Sequence, residues 1–233
     1  MLEVRHLNAS YGHAQVLFDI SLQVPLGSMV LIQGLNGAGK SSLLKSIMGL
    51  MPQVSGEIDW QGNALAGLAP HLRSGQGLGY VPEDRRLFEA LTVRQNLEIA
   101  VPKSAHRQAS KAAPVVLEDV LSLFPGLRNM LERPASQMSG GEQQMLALGR
   151  TLMTQAQMLL LDEPCEGIAP VLVQSIAEAL GKLKEQGFTL LIAEQNQTLA
   201  NMADQVLHLS AGTLSKPRFT YTVGSTLKPI SPT

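Results

Sequence analysis

The stretch GLNGAGKS, Gly34–Ser41, fills every fixed position of the pattern GxxxxGK[ST]. The apolar run MVLIQ precedes it, and beyond it leucine and isoleucine recur at helical spacing. A strand, a glycine loop and a helix in this order predict a phosphate-binding loop, whose backbone N–H groups cradle an anion at the helix start. We therefore expect a nucleotide to be bound by Gly34, Leu35, Asn36, Gly37, Ala38, Gly39, Lys40, Ser41 and Ser42.

An acidic element complements this loop. A lysine in the position of Lys40 reaches the β- and γ-phosphate oxygens, and the hydroxyl of Ser41 can ligate Mg²⁺. In MLLLDEP, Met158–Pro164, a buried apolar strand ends at Asp162, which can hold Mg²⁺ through water. Glu163 beside it can orient and polarise an attacking water. Together the two elements favour ATP hydrolysis over nucleotide binding alone.

The composition limits the class of protein. Among 233 residues, 18 are Lys or Arg and 19 are Asp or Glu, so no overall positive charge exists to hold nucleic acid. The single cysteine, Cys165, excludes an intrachain disulfide, and no run reaches the roughly 18 apolar residues of a membrane span. The N-terminus lacks the basic and apolar layout of a signal peptide. We expect a reducing cytoplasm as the compartment.

Near-continuous apolar strands alternate with helical patterns along the chain, which predicts a parallel sheet covered on both faces. Ahead of the glycine loop, residues 2–24 predict β-strands whose inward side is formed by Phe18, Ile20, Leu22 and Val24. From Thr92 the pattern becomes helical: Thr92 and Gln95 form a capping box, and Pro114 opens a further helix. The polar, basic segment 101–114 between these helices is expected to be a solvated loop.

We therefore expect one domain with an inserted part. The nucleotide-binding core with its β subdomain takes up about residues 1–84 and 151–212. The helical subdomain takes up about 85–150, and the tail 213–233 has no role that its sequence indicates.

A second helix start resembles an anion site. In QMSGGEQQM, Gln137–Met145, Ser139 and Glu142 satisfy the capping-box pattern. A cap alone does not need Gly140 and Gly141, since each glycine costs about 1 kcal/mol relative to alanine inside a helix. Close approach of the backbone to another group explains the pair better, and we expect this group to be a phosphate.

The motifs GLNGAGKS, SGGEQ and LLLDEP, in this order and spacing, resemble the ATP-binding cassette (ABC) ATPases, whose signature motif is LSGGQ. The resemblance covers about residues 2–212. It implies an α/β fold, with a RecA-like P-loop NTPase core, an antiparallel β subdomain and an inserted α-helical subdomain. It also implies a head-to-tail pair of cassettes, in which the ATP of one protomer meets the signature of the other, here Ser139, Gly140, Gly141, Glu142 and Gln143.

Further positions match the family. Tyr11 corresponds to the aromatic residue that stacks on adenine, although a lone tyrosine fits a surface position as well, and Glu83 stands where most cassettes have a glutamine that contacts Mg²⁺ and the membrane subunit. CEGIAP, Cys165–Pro170, matches the loop that crosses the dimer interface, with Cys in place of the usual Ser. In IAEQN, Gln195 replaces the histidine that reaches the γ-phosphate, and it cannot carry a positive charge. The resemblance thus assigns catalysis to Glu163 and Gln195, and metal contacts to Ser41, Asp162 and Glu83.

Taken together, Glu83, Arg85 and Arg86 with SGGEQQMLALGRTL, EGIAP and AEQN look like the smaller ATPase subunit of bacterial high-affinity branched-chain amino acid importers. This resemblance implies ATP and Mg²⁺ as cofactors, and a position at the cytoplasmic face of the inner membrane. The implied partners are a second ATPase subunit, either a copy or a sister chain, transmembrane permease subunits and, indirectly, a periplasmic substrate-binding protein. A groove formed by residues 83–96 and the helical subdomain would receive a permease helix, with Arg85, Arg86 and Phe88 at its lips.

Three alternatives differ in function. Importers of urea and short-chain amides have closely related ATPase subunits. A nucleotide-gated module with little hydrolysis is motivated by Gln195. A cassette protein of DNA repair or translation would carry a long coiled coil or a second cassette, and the sequence contains neither, so this alternative ranks last.

Overall fold

The computed structural model describes residues 1–102 and 114–215, which form two β-sheets with surrounding helices. The strands are β1 (Leu2–Tyr11), β2 (Ala14–Val24), β3 (Met29–Gln33), β4 (Gln53–Trp60), β5 (Asn63–Ala64), β6 (Leu78–Val81), β7 (Met158–Asp162), β8 (Thr189–Ala193), β9 (Gln205–Ser210) and β10 (Thr213–Leu214). The helices are α1 (Lys40–Met48), α2 (Pro70–Gly75), α3 (Val93–Glu98), α4 (Leu117–Leu123), α5 (Gly140–Met153), α6 (Pro170–Glu185) and α7 (Gln197–Met202), with short 3₁₀ helices at Pro125–Met130 and Ala135–Gln137. The chain is therefore an α/β protein.

The larger sheet has the strand order β10-β9-β3-β8-β7-β6, in which β10 is antiparallel and the others are parallel. Side chains of β3 alternate between two hydrophobic clusters: Met29 and Leu31 belong to one, and Val30 and Ile32 belong to the other. A strand that is buried on both faces needs apolar residues at every position, which explains the continuous apolar runs. The predicted parallel sheet with two covered faces is confirmed.

The parallel strands end side by side. Asp162 at the end of β7 lies opposite Ala193 of β8, and Ile32 of β3 pairs with the same Ala193. In an open parallel sheet, the segments that follow the carboxyl ends of the strands form the ligand site. The glycine loop and the segments after β7 and β8 therefore meet at one edge of the sheet.

The smaller sheet is antiparallel throughout, with the order β2-β1-β4-β5. Its inward side shares a hydrophobic cluster with α1 and one face of the larger sheet. The prediction that Phe18 faces inward is wrong: Phe18 is 42% exposed, and Leu17 is buried instead. The alternation shifts by one residue because β2 is irregular at Asp19, which has a φ of 49°.

The helices α3 and α4 both pack against α5. The predicted capping box of α3 is present, since Thr92 N donates to the Gln95 side chain at 2.9 Å and Gln95 N donates to Thr92 Oγ1 at 3.2 Å. The prediction that Pro114 opens the next helix is wrong, because α4 begins at Leu117. The carboxylate of Asp119 accepts a hydrogen bond from Val116 N at 2.8 Å and fixes the start of α4 there.

Two of the sequence predictions fall mainly outside the described residues. Most of the expected solvated loop 101–114 lies in the segment 103–113, and most of the tail 213–233 lies beyond residue 215. Within the ranges 1–102 and 114–215, none of the helices is both long and apolar enough to span a bilayer.

Candidate active site

The glycine loop joins β3 to α1, and its outer residues Leu35 and Asn36 are exposed. Gly39 has a φ of 106°, and a Cβ at this position would lie 2.9 Å from Leu17 Cδ2, so backbone and space both require glycine. α1 begins at the next residue, Lys40. The N–H groups of its first turn can therefore face an anion held in the loop.

Lys40 lies inside the site and is only 3% exposed. Its Nζ donates to the carbonyl oxygen of Gly34 at 2.8 Å and lies 2.9 Å from Glu163 Oε1. Burying an ammonium group is costly unless the group is paired and hydrogen-bonded, and both conditions are met here. The fold thus holds a positive charge against the carboxylate that the sequence assigned to catalysis.

The carboxylate of Asp162 accepts hydrogen bonds from two hydroxyl groups. Ser41 Oγ donates to Oδ1 at 2.8 Å, and Tyr80 Oη donates to Oδ2 at 3.1 Å. Asp162 is 2% exposed, and burial raises its pKa above the ordinary value although both hydroxyls act to lower it. A hydroxyl and a buried carboxylate are hard oxygen ligands, and Mg²⁺ prefers one or two such protein ligands together with phosphate oxygens and water. The donor set therefore fits Mg²⁺.

Glu163 follows Asp162 in a left-handed conformation, with a φ of 47°, and its N–H donates to Ala193 O at 2.8 Å. Burial acts to raise the pKa of Glu163, but hydrogen bonds with Glu166 and Lys40 hold this pKa below its ordinary value. The hydrogen bond with Glu163, followed by the charge of Glu163, raises the pKa of the exposed Glu166 to about 7. Of the two carboxyl groups, Glu163 therefore loses its proton at the lower pH.

Gln195 is exposed beside the glycine loop. Its Nε2 donates to Asn36 Oδ1 at 2.8 Å. The structure therefore brings the residue predicted to contact the γ-phosphate next to the predicted phosphate loop, although the two are far apart in the sequence.

Two residues at this edge were missed by the sequence analysis. One is Tyr80, the second hydroxyl donor to Asp162. The other is Glu194, whose buried carboxylate accepts hydrogen bonds from three backbone N–H groups. A signal for Glu194 existed in the sequence, because an acidic residue directly follows the buried run TLLIA, as Asp162 ends the run MLLLD.

Three other predicted residues have the following positions in the fold. Tyr11 ends β1 and is exposed. Glu83 is exposed after β6, and its negative charge contributes to the raised pKa of Glu166. Ser42 lies in the first turn of α1, where its carbonyl oxygen accepts a hydrogen bond from Ser46 Oγ at 2.7 Å. The roles assigned to these residues stay predictions.

The start of α5 carries the second predicted anion site. Ser139 N donates to Glu142 Oε2 at 2.7 Å, and Glu142 N donates to Ser139 Oγ at 3.4 Å, so the capping box is formed. Gln143 Nε2 donates to Ala135 O at 3.1 Å. These contacts are local, and Ser139 stays exposed.

The two glycines of this motif have different neighbours. A Cβ at Gly141 would collide with Leu172 Cδ1, so the packing of α6 on α5 requires glycine here. A Cβ at Gly140 would lie 3.4 Å from the guanidinium group of Arg85, which is the end of a long side chain. Internal packing therefore explains Gly141, whereas the packing around Gly140 does not require glycine, and the phosphate contact predicted for Gly140 stays a prediction.

Comparison with known proteins gives consistent matches. The family model described as ABC transporter matches residues 17–166. The chain is 40% identical over 216 residues to the high-affinity branched-chain amino acid transport ATP-binding protein BraG of Pseudomonas aeruginosa, covering 91% of this chain and 90% of BraG. It is 36% identical over 214 residues to the probable branched-chain amino acid transport ATP-binding protein LivF of Archaeoglobus fulgidus, covering 91% of this chain and 89% of LivF.

Solved structures resemble the whole described fold. The crystal structure of the ADP conformation of MJ1267, an ATP-binding cassette of an ABC transporter, superimposes with a TM-score of 0.75 at 26% identity. The match covers 92% of this chain and 89% of the other. The fold class predicted from the sequence is confirmed.

Proposed function

We propose, because this chain belongs to the ABC transporter family, that Gly34–Ser41, Asp162 and Glu163 form the site at which it binds and hydrolyses ATP. The chain is an ATP-hydrolysing subunit of an ABC importer. The observation that best supports the assignment of this site is the contact of 2.9 Å between Lys40 Nζ and Glu163 Oε1. This contact brings the glycine loop and the acidic end of β7 together in one site. In this site Lys40 is the cation that binds phosphate, and Glu163 is the base that acts on water.

Each residue of the centre has a role in this proposal. The loop N–H groups and Lys40 bind the phosphate oxygens, which compete with Glu163 for the ammonium group. Ser41 and Asp162 would hold Mg²⁺, which neutralises charge on the β- and γ-phosphate oxygens when bound. Glu163 accepts a hydrogen bond from the attacking water and aligns it with the γ-phosphorus. The bond from water to phosphorus forms as the bond to the β–γ bridging oxygen breaks, the carboxylate of Glu163 takes the proton that the water loses, and ADP and inorganic phosphate are the products.

Gln195 is proposed as the residue that contacts the γ-phosphate, since it already contacts Asn36 of the loop. Its amide donates a hydrogen bond but carries no charge, so it stabilises a developing negative charge less than a protonated histidine would. This same neutral amide favours a second candidate function, in which the chain acts mainly as a nucleotide-gated subunit with slow turnover. A turnover that is negligible and unchanged in Glu163→Gln would support the second candidate.

A second ATPase subunit, either another copy or a sister chain, is proposed to complete the site. Ser139 is exposed, and the outward side of Gly140 faces only the end of a flexible side chain. The helix start can therefore approach a γ-phosphate held by a neighbouring protomer. The residues proposed to make this approach are Ser139, Gly140, Gly141, Glu142 and Gln143.

A groove of about 440 Å³ is proposed as the docking site for a permease helix. Exposed apolar side chains line it, among them Leu50, Phe88 and Ile99, and Arg86 and Arg150 add positive charge. The guanidinium group of Arg150 lies 5.4 Å from the centre of the Phe88 ring. Such a groove suits an amphipathic helix with apolar anchors and acidic flanks.

The groove also has a direct connection to the nucleotide site. Tyr80 lines the groove, and its hydroxyl donates to Asp162. Of the three predicted lip residues, Arg86 and Phe88 line the groove, while Arg85 donates from Nε to Gln144 Oε1 at 3.1 Å beside the start of α5. A helix that enters the groove would therefore contact Tyr80, whose hydroxyl is hydrogen-bonded to Asp162, the proposed Mg²⁺ ligand.

We propose branched-chain amino acids as the transported class, because both curated relatives bear this name. This proposal also places the chain peripherally at the cytoplasmic face of the membrane, served by a periplasmic binding protein. The division into a core, a β subdomain and a helical subdomain at about 85–150 belongs to the same proposal. When the gene for this chain is returned to cells that lack it, restored uptake of labelled leucine would support branched-chain amino acids as the transported class. Restored uptake of labelled urea instead would favour the alternative substrate class.

The test of the proposed function is turnover of the protein purified with its partner subunits. We expect Glu163→Gln to lower ATP turnover by about a hundredfold or more, while ATP still binds. Glu178→Gln, which neutralises a carboxylate on the exposed side of α6, serves as the matched control. Equal turnover of both variants and the wild type would contradict the assignment of Glu163.

A further inference from the structure

We propose that Glu194 is a positioning residue that ties the crossing loop, Cys165–Pro170, to Gln195. Through this tie, contact of Gln195 with nucleotide and the conformation of the crossing loop change together. The inference rests on the proposed function, in which the crossing loop lies at the boundary with a second ATPase subunit.

The carboxylate of Glu194 has three hydrogen-bond donors. Its Oε2 accepts from Cys165 N at 2.9 Å, and its Oε1 accepts from Gln195 N at 2.8 Å and from Asn196 N at 3.1 Å. Glu194 is 6% exposed, and within residues 1–102 and 114–215 it has no ion-pair partner. A buried carboxylate is costly, and here hydrogen bonds from three backbone N–H groups compensate it. A role that depends on these N–H groups is therefore the simplest reason for an acid at this position.

The donors belong to two separate segments of the chain. Cys165 begins the crossing loop, two residues after the proposed base Glu163. Gln195 begins the segment that leads to α7, and its side chain holds Asn36 of the glycine loop. Glu194 itself is anchored to the sheet, since its N–H donates to Ile32 O at 3.1 Å. One carboxylate fixed to the sheet thus sets the distance between the crossing loop and the residue that faces the nucleotide.

The substitution Glu194→Gln separates these two contacts. A glutamine side chain has one acceptor oxygen and one donor nitrogen. The oxygen is expected to stay with the two N–H groups of Gln195 and Asn196, which leaves the amide nitrogen facing Cys165 N–H. Two donors then face each other, so the variant releases the crossing loop while the Gln195 segment stays held.

The experiment compares two readouts in the Glu163→Gln background, with Glu178→Gln as the matched control. We expect Glu194→Gln to leave the affinity of one protomer for ADP unchanged within error, because the glycine loop is intact. ATP-dependent association with the partner ATPase subunit is expected to weaken by about tenfold, as a lost charge-assisted hydrogen bond implies. Unchanged association, or an equal loss of ADP affinity, would overturn the proposal, since the latter outcome indicates a purely structural role.

ATP turnover provides a second test that distinguishes an effect on catalysis from an effect on nucleotide binding. In the otherwise wild-type chain, Glu194→Gln should lower kcat and leave KM for ATP nearly unchanged. Because Glu194→Gln already uncouples the crossing loop from Gln195, adding Gln195→Ala to it should cost less than the sum of the two single effects. If the two effects on turnover were strictly additive, the proposed coupling between Gln195 and the crossing loop would be contradicted.

Hydrogen exchange of the unsubstituted protein keeps the proposal testable if the variant does not fold. We expect the amides of Cys165, Gln195 and Asn196 to gain protection together when ATP is added. Protection of one segment without the other would overturn the proposal. If Glu163→Gln binds ATP but never associates with any ATPase partner, the proposed function fails instead, so the two failures are distinguishable.

Discussion

The glycine loop and the start of α5 are both helix starts suited to phosphate, but they differ in how far this chain completes them. At the glycine loop, Lys40 is buried and bonded to Gly34 and Glu163 of the same chain. At the start of α5, Ser139 is exposed and only Gly141 is fixed by internal packing, against Leu172. The difference indicates that the first site binds nucleotide with its own residues, whereas the second needs a nucleotide presented by another protomer.

The largest expected effect tests the glycine-loop site, which binds nucleotide with residues of this chain. Lys40→Ala removes the buried cation that faces the phosphates, and we expect ATP turnover to fall by about a hundredfold or more. Lys182→Ala removes an exposed cation from α6 and serves as the control in the same ATPase assay. If turnover of Lys40→Ala were close to that of the control, the claim that the glycine-loop site binds the phosphates through Lys40 would be contradicted.

The two signature glycines should separate fold from function. In Gly141→Ala the new methyl group meets Leu172, and we expect the free energy of unfolding to fall by about 1 to 3 kcal/mol in urea titrations. In Gly140→Ala the unfolding free energy should hold or rise slightly, because alanine favours a helix and the Arg85 side chain can move. ATP-dependent association should nevertheless weaken in Gly140→Ala. The opposite pattern, with Gly140 costing stability and Gly141 costing association, would contradict our assignment.

Tyr80→Phe sharpens the comparison at the Mg²⁺ ligand. It removes the hydroxyl that donates to Asp162 while leaving the ring in the wall of the groove. We expect the Mg²⁺ concentration for half-maximal turnover to rise by about threefold to tenfold, which corresponds to the net worth of one ordinary hydrogen bond. Ser41→Ala removes the hydroxyl on the other side of Asp162 and should have the larger effect. Unaltered Mg²⁺ dependence in Tyr80→Phe would show that Tyr80 does not support the metal ligand.

The smallest effect concerns pH. The folded chain raises the pKa of Glu166 from 4.5 to about 7, so it binds this proton more tightly than the unfolded chain does. The resulting stabilisation is complete below pH 4.5 and is lost as pH rises through about 7. Glu166→Gln keeps a donor for Glu163 without a titrating proton, so its unfolding temperature should depend less on pH across this window. Glu185→Gln, at the far end of α6, is the control, and an equally steep profile in Glu166→Gln would show that Glu166 is not the source of the pH dependence.

Sequence motifs predicted the centre of the site because short spacings fix it. Lys40 and Ser41 are adjacent in a loop whose geometry is local, and Asp162 ends a strand whose neighbours are set by the parallel sheet. Glu194 was missed because its role depends on N–H groups from the loop at Cys165, which is remote in sequence. No periodic pattern reports such a contact.

Other errors came from interruptions of regular structure. Periodicity placed Phe18 inward, but the irregularity at Asp19 shifted the alternation to Leu17. The interpretation of the two signature glycines took a ligand as the common cause. Packing of α6, which a pattern at α5 alone cannot reveal, explains one of them.

The measurement that tests the central claim most directly is a disulfide between two chains. In a Cys165→Ser background, one copy carries Asn36→Cys in the exposed glycine loop, and a second copy carries Ser139→Cys at the exposed start of α5. Where the partner ATPase subunit is a second copy of this chain, our account predicts that the two copies form a mixed disulfide when ATP is present and little of it when ATP is absent. A disulfide that is indifferent to ATP, or one that forms only within a single chain carrying both cysteines, would contradict it.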